Sequence, residues 1–284
     1  HLRTGPDGAM YVLDFYNQAT VHNDPRGPKH GPTNAAIRPD RDKLHGRIWR
    51  VQHTNARDML TSLPPDTAGL IASLGARGSW QRRTAERLLR EGPGTAAVPA
   101  LLDSLSKSDS VYMRLHSLAL VHDLADDQET RLRAVGMGLK DPDPALQRRA
   151  AFLAGPLMES GDAAKNLSET LLRLAITSKD ERTRMAALLS LNHGNLEEGA
   201  LTQLVSLAPE LDDNWSRSAL LAALLSDPIT SLGAMVAGPE SSATRALAEE
   251  LGQKIGARRD PGLTNRALIA LAAGNINEAS KVAF

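Results

Sequence analysis

One helical signature returns through this chain at a nearly fixed interval. It reads Trp80-Gln-Arg-Arg-Thr-Ala-Glu-Arg-Leu-Leu89, then Tyr112-Met-Arg-Leu-His-Ser-Leu-Ala-Leu120, Leu146-Gln-Arg-Arg-Ala-Ala-Phe-Leu153, Arg182-Thr-Arg-Met-Ala-Ala-Leu-Leu189 and Trp215-Ser-Arg-Ser-Ala-Leu-Leu221. Aligned on Arg83, Arg114, Arg149, Arg184 and Arg217, the copies lie 31, 35, 35 and 33 residues apart. A period in that range with helical apolar spacing inside each unit is the mark of stacked helix pairs. Each pair buries its apolar face only against its neighbours. The expected fold is therefore mostly α, an α-solenoid over residues 66–284.

The apolar stripes and breakers place the helices. Asp66 caps a first helix to about Leu74, after a linker over 59–65 that ends in Leu63-Pro64-Pro65. Pairs are expected at Trp80–Arg90 with Ala96–Ser106, and at Val111–Leu124 with Gln128–Leu139. A third opens at Pro144, where the missing N–H costs nothing. A fourth spans Glu181–Leu191 with Glu197–Ala208, and a fifth opens near Asn214. Leu146, Ala150, Leu153 and Leu157 make one stripe, as do Leu167, Leu171 and Leu174. Ser241–Ile255 and Leu263–Ala273 read as helices without the periodic Arg, as terminal units of an array often do.

An Asp precedes the Arg in four units: Asp109 before Arg114, Asp143 before Arg148 and Arg149, Asp180 before Arg184, and Asp213 before Arg217. An Asp at a helix start accepts from backbone N–H groups and from an Arg of an adjacent unit, so this comb is expected to set the register between repeats. The pattern resembles HEAT repeats. The remaining His are expected as an inter-repeat residue (His122), a solvated one (His116) and a helix C-cap (His193). Trp80 and Trp215 are expected to pack on the preceding unit or, if exposed together on the concave face, to serve as partner-binding anchors.

The interior rests on Ala and Leu, because apolar residues make up 42% of the chain but aromatics only 3%. Lys plus Arg (33) equals Asp plus Glu (33), and no polybasic arm points to nucleic acid or an anionic membrane. The longest apolar runs fall far short of the roughly 20 residues needed to span a bilayer. With no Cys, the chain itself cannot hold a disulfide, an iron–sulfur cluster, a covalently attached c-type haem or a cysteine nucleophile.

Residues 1–58 differ from the rest, holding five of the eight His and four of the nine aromatics. Gly5-Pro6-Asp7-Gly8 is a tight-turn sequence, followed by a strand-like run to Leu13. Gly46–Gln52 is a second strand candidate. Between them lies a long aperiodic stretch, the kind that is functional or disordered. Its His22, Asp24, His30, Arg41, Asp42 and His45 are the candidate cofactor-facing or metal-competent residues, although their spacing matches no compact ligand motif. Turn capping and Arg–Asp pairing account for the same residues without any ligand.

Gly5-Pro6-Asp7-Gly8 with Met10-Tyr-Val-Leu-Asp14 is similar to the strand-turn motif of glucose/sorbosone-dehydrogenase-like β-propellers. Together with Leu13-Asp-Phe-Tyr-Asn17, His22-Asn-Asp24, Arg38-Pro-Asp-Arg-Asp42 and Gly46-Arg-Ile-Trp-Arg-Val51, it resembles the closing blade of the large dehydrogenase-like, haem-binding proteins of planctomycetes and verrucomicrobia. That resemblance implies an incomplete propeller blade at 1–58 and a fragment of a longer secreted or periplasmic protein. It also implies a helical linker between an upstream propeller, with a quinone such as PQQ, and a downstream cytochrome c domain. Three functions follow from the sequence. The first is a non-catalytic scaffold within such a protein, the second a stand-alone protein-binding solenoid. The third is a metal-assisted hydrolase, which needs His22, His30 and His45, or two of them with Asp24 or Asp42, to converge.

Overall fold

The computed structural model describes residues 1–14, 46–56, 62–158, 162–211, 213–238 and 241–273. The chain divides into two compact units, 1–92 and 93–284.

The first unit opens with three antiparallel strands in the order β1 (Leu2–Thr4), β2 (Met10–Asp14), β3 (Arg47–Val51). The Gly5–Gly8 turn forms as its sequence dictates. Gly8 N–H donates to the Gly5 carbonyl at 3.1 Å, Gly8 takes φ 77°, and Asp7 Oδ1 accepts from Ala9 N–H at 3.1 Å. A side chain on Gly5 would collide with the Tyr11 ring, since its Cβ would lie 2.2 Å from Cε2. Asp7 then ties the sheet together, accepting from Tyr11 Oη at 3.1 Å and from Arg50 Nε at 2.6 Å. Arg50 is the main reason its carboxyl sits below the ordinary range.

In the register Met10↔Val51 and Val12↔Trp49, one face carries Leu2, Met10, Val12, Trp49 and Val51; the other carries Leu13 and Ile48. Most of these are exposed, Ile48 at 67% and Leu2 at 57%. Both faces of the sheet thus present apolar side chains to solvent. The unit closes with α1 (Thr67–Ser73), capped by Asp66 onto Gly69 N–H at 2.8 Å, and α2 (Ser79–Glu91). These two helices pack together, burying Leu70, Leu74, Ala85 and Leu89.

The second unit is an array of helices: α3 (Val98–Lys107), α4 (Val111–Leu124), α5 (Gln128–Leu139), α6 (Pro144–Ala154), α7 (Asp162–Thr177), α8 (Glu181–Leu191), α9 (Glu198–Ser206), α10 (Asn214–Leu224), α11 (Pro228–Ala237), α12 (Ser242–Ala257) and α13 (Pro261–Ala272). They form two rows. In one, α4, α6, α8, α10 and α12 each touch the next; in the other, α3, α5, α7, α9, α11 and α13 do. The seam between the rows is built from leucines with no exposed surface, including Leu101, Leu118, Leu146, Leu171, Leu188 and Leu204. Burying one such side chain contributes roughly 2 kcal/mol, and the seam continues across every repeat. A mostly α, solenoid-like repeat fold preceded by a small β segment is what the periodicity required.

The packing partners differ from the expected pairing. α2 lies on α1, α3 on α4, α5 on α6 and α7 on α8, so a signature helix also packs closely on the helix before it. The turns before α4 and α8 run only Ser108–Ser110 and Ser178–Asp180, and connections that short bring consecutive helices together as antiparallel neighbours. Close approach is built in at Gly138, where a Cβ would lie 2.8 Å from Ala150 Cβ and 2.9 Å from Leu118 Cδ2. Among the described residues no single helix is long and apolar enough to cross a membrane.

Candidate functional site

His22, Asp24, His30, Arg41, Asp42 and His45 lie outside the described residues. Among the described residues no three His, Asp or Glu side chains gather into a metal-binding group.

The Arg comb has a specific local geometry. Counting from each helix N-cap, the fourth residue reaches back to the carbonyl two places before the cap. Arg82 Nη1 donates to Ala76 O at 2.7 Å, Arg114 Nη1 to Ser108 O at 2.8 Å, Arg131 Nη2 to Ala125 O at 2.6 Å, and Gln147 Nε2 to Asp141 O at 2.8 Å. A long side chain in the first helical turn thereby closes the loop that leads into its own helix. Hydrogen bonds from charged donors are the stronger kind. This corrects the alignment at two places. Arg83 and Arg149 are exposed, and the residues in phase are Arg82 and Gln147, with half-buried Arg148 beside the latter. Both Arg82-Arg83 and Arg148-Arg149 are doublets, and the period alone does not say which member turns inward.

The link between repeats runs forward, to the Asp of the next unit. Arg114 Nε donates to Asp141 Oδ2 at 2.8 Å and Nη2 to Oδ1 at 3.1 Å, with the two side chains only 13% and 8% exposed. The Asp141 carboxylate holds the Arg114 guanidinium above its ordinary range. Arg148 Nη1 lies 3.6 Å from Asp180 Oδ1 in the same sense. Asp143, Asp180 and Asp213 cap α6, α8 and α10, accepting from Ala145, Thr183 and Trp215 N–H groups at 2.8, 2.7 and 2.9 Å. Asp109 does not cap: Ser110 accepts from Met113 N–H instead, and Asp109 is exposed. Ser and Asp compete for the same role at the start of α4, and the residue adjacent to the first turn takes it. Arg184 and Arg217 are half-buried at the equivalent positions, and Arg184 Nε is buried without a partner among the described residues.

Among the histidines, His122 is half-buried beside Asp123, its Nδ1 3.4 Å from Oδ1. His116 is half-buried and not solvated as expected. His193 follows α8, donating its N–H to Ser190 O at 3.1 Å, with its ring against Gly155.

The aromatic expectation is overturned at α10. Trp215 is 79% exposed. It belongs to a set that the sequence reading missed. Within the second unit, the large apolar side chains that face solvent on the even-numbered row are Tyr112 on α4, Phe152 on α6, Leu189 on α8 and Trp215 on α10. Tyr112 and Trp215 each lie two residues past their cap, while Phe152 and Leu189 each lie nine past theirs. Seven residues are almost two helical turns, so all four project from one face of the row. Neighbouring helices run about 8–10 Å apart, and the seven-residue offset adds about 10 Å along the axis, so the four are spread as a band along that face of the row. The outward residues of α5, α7 and α9 are polar by contrast: Glu129, Arg133, Lys165, Glu169, Arg173, Thr202 and Gln203. The signal that could have found the band is the equal offset of Phe152 and Leu189 from their caps.

A two-row helical-repeat array with an aromatic band on one row, preceded by a small open sheet, is the class that this fold and site define. Residues 1–55 match the model of a domain of unknown function, DUF7133. No curated protein matches the chain.

Proposed function

We propose that this chain is a non-catalytic scaffold whose helical array docks another protein domain through the band of Tyr112, Phe152, Leu189 and Trp215. The carrying observation is the run of exposed aromatic and aliphatic side chains on α4, α6, α8 and α10, while α5, α7 and α9 of the other row are polar and the exposed pair Leu268 and Ile269 of that row stands apart on its last helix, α13. Large exposed apolar patches rimmed by polar residues mark interaction surfaces, and Trp and Tyr are the residue types that dominate binding energy in them.

The opening sheet extends the reading. Apolar side chains exposed on both of its faces suit a segment that belongs to a larger β module. With the strand-turn resemblance, this supports a place between an upstream propeller and a downstream cytochrome c domain of a periplasmic or secreted dehydrogenase-like protein. The redox groups, PQQ and c-type haem, would then reside in those flanking domains. The stand-alone protein-binding solenoid uses the same band with an unrelated partner.

The test mixes the chain with the separately produced flanking haem domain and measures binding by calorimetry, for wild type and for F152D/L189D. Saturable binding weakened at least tenfold by the double variant is expected. No binding, or binding indifferent to the substitutions, overturns the assignment. Dye-linked dehydrogenase turnover by the chain alone would defeat the non-catalytic reading.

A further inference from the structure

The first unit contains a groove of about 620 Å³ between the sheet and α2, lined by Arg3, Thr4, Ser79, Trp80, Arg82, Arg83, Thr84 and Arg87 with Leu2 and Met10 at one side. Among the described residues four arginines and no acidic residue line it. The volume falls within the range of small-molecule sites. The arginines differ in what already holds them. Arg82 donates to the carbonyls of Ala76 and Arg77, and Arg87 pairs with Glu91 at 2.5 Å. Arg3 makes a single contact with its neighbour's carbonyl, and Arg83 is exposed with no acidic partner among the described residues. The same helix differs from its counterparts in sequence. α6, α8 and α10 begin on Asp143, Asp180 and Asp213, whereas α2 begins on Gly78, which brings no carboxylate to the arginines that follow.

We propose that this groove binds a small multivalent anion, a phosphate ester or polycarboxylate, with Arg3 and Arg83 as its principal ligands. Two planar guanidinium forks, one carried by β1 and one by α2, match the paired oxygens of such groups. The Ser79, Thr84 and Thr4 hydroxyls can complete the hydrogen bonds. The indole of Trp80 and the side chains of Leu2 and Met10 leave room for an organic body attached to the anion. This site is independent of the docking band, which lies in the other unit, so the failure of either leaves the other standing.

Isothermal titration of the full chain with pyrophosphate and, separately, citrate at fixed ionic strength tests it. Saturable one-to-one binding of at least one probe is expected. R83Q and R3Q should each lower the affinity about tenfold, and the double variant should abolish measurable binding. R149Q, an exposed arginine in the second unit, should leave it unchanged. Preference for pyrophosphate identifies a phosphate ligand and preference for citrate a carboxylate. Both arginines lie at the surface, and an unaltered circular dichroism spectrum shows that the variants fold. Absence of saturable binding by both probes, or an R149Q effect equal to that of R83Q, overturns the proposal.

Discussion

Replacing Arg114 by Met keeps most of the aliphatic stem while removing three hydrogen bonds at once: two to Asp141, at 2.8 and 3.1 Å, and one to Ser108 O at 2.8 Å. What remains is the Asp141 carboxylate, 8% exposed, with the Asp143 N–H at 2.8 Å as its surviving donor. Removing one member of a fully buried pair costs about 3–5 kcal/mol, since the other charge is left uncompensated. This pair keeps some contact with water on the arginine side, which places R114M near the lower end, about 3 kcal/mol. D141N retains the short turn and costs less, about 1–2 kcal/mol. In a double-mutant cycle the pair should show a coupling of roughly 2 kcal/mol. Urea unfolding followed at 222 nm gives the cycle. Native-state hydrogen exchange should locate the loss in α4, α5 and α6 rather than in α12 and α13, because repeats couple mainly to their neighbours. An R114M effect within about 0.5 kcal/mol of wild type, or a coupling indistinguishable from zero, would refute the argument and reduce the pair to a surface contact.

Gly136 and Gly138 stand two residues apart in α5 and should respond with opposite sign. G136A meets nothing within 4 Å and should gain about 0.5–1 kcal/mol of helix stability, whereas G138A presses on Ala150 and Leu118 and should lose about 1–3 kcal/mol; thermal melts of the two variants decide it. Stability should also fall in acid. The Asp180 carboxyl is held below its ordinary value chiefly by the Thr183 hydroxyl, and that of Asp213 chiefly by Ser216. A depressed folded-state value means the stabilisation is present above the unfolded value near pH 4 and is lost as pH drops through the folded one. A urea midpoint that stays constant from pH 5 down to pH 3 would contradict this. D7A should uncouple the Gly5–Gly8 turn from β3 by removing the Tyr11 and Arg50 contacts, seen as loss of amide protection across 2–14 and 47–51 with the array unaffected.

The sequence by itself determined the helices, because their determinants are local. Asp127, Asp143, Asp180 and Asp213 each cap where they stand before an apolar stripe, Pro144 sits at a first helical turn, and Leu146, Leu171, Leu188 and Leu204 recur at spacings that only a buried face explains. The Gly5–Gly8 turn was equally legible, since its bonds close within a few residues. Tertiary structure alone decided what depends on rotation about a helix axis and on which helix arrives next. It chose Arg82 over Arg83, sent Arg114 forward to Asp141 rather than back to Asp109, and left Trp215 in solvent although Ser216 beside it is buried. A helical position is turned about 100° from its neighbour, so a one-residue ambiguity in the repeat is enough to move a side chain from the seam to the surface. Contacts made 27 residues away, across a stack, leave no trace in a local pattern.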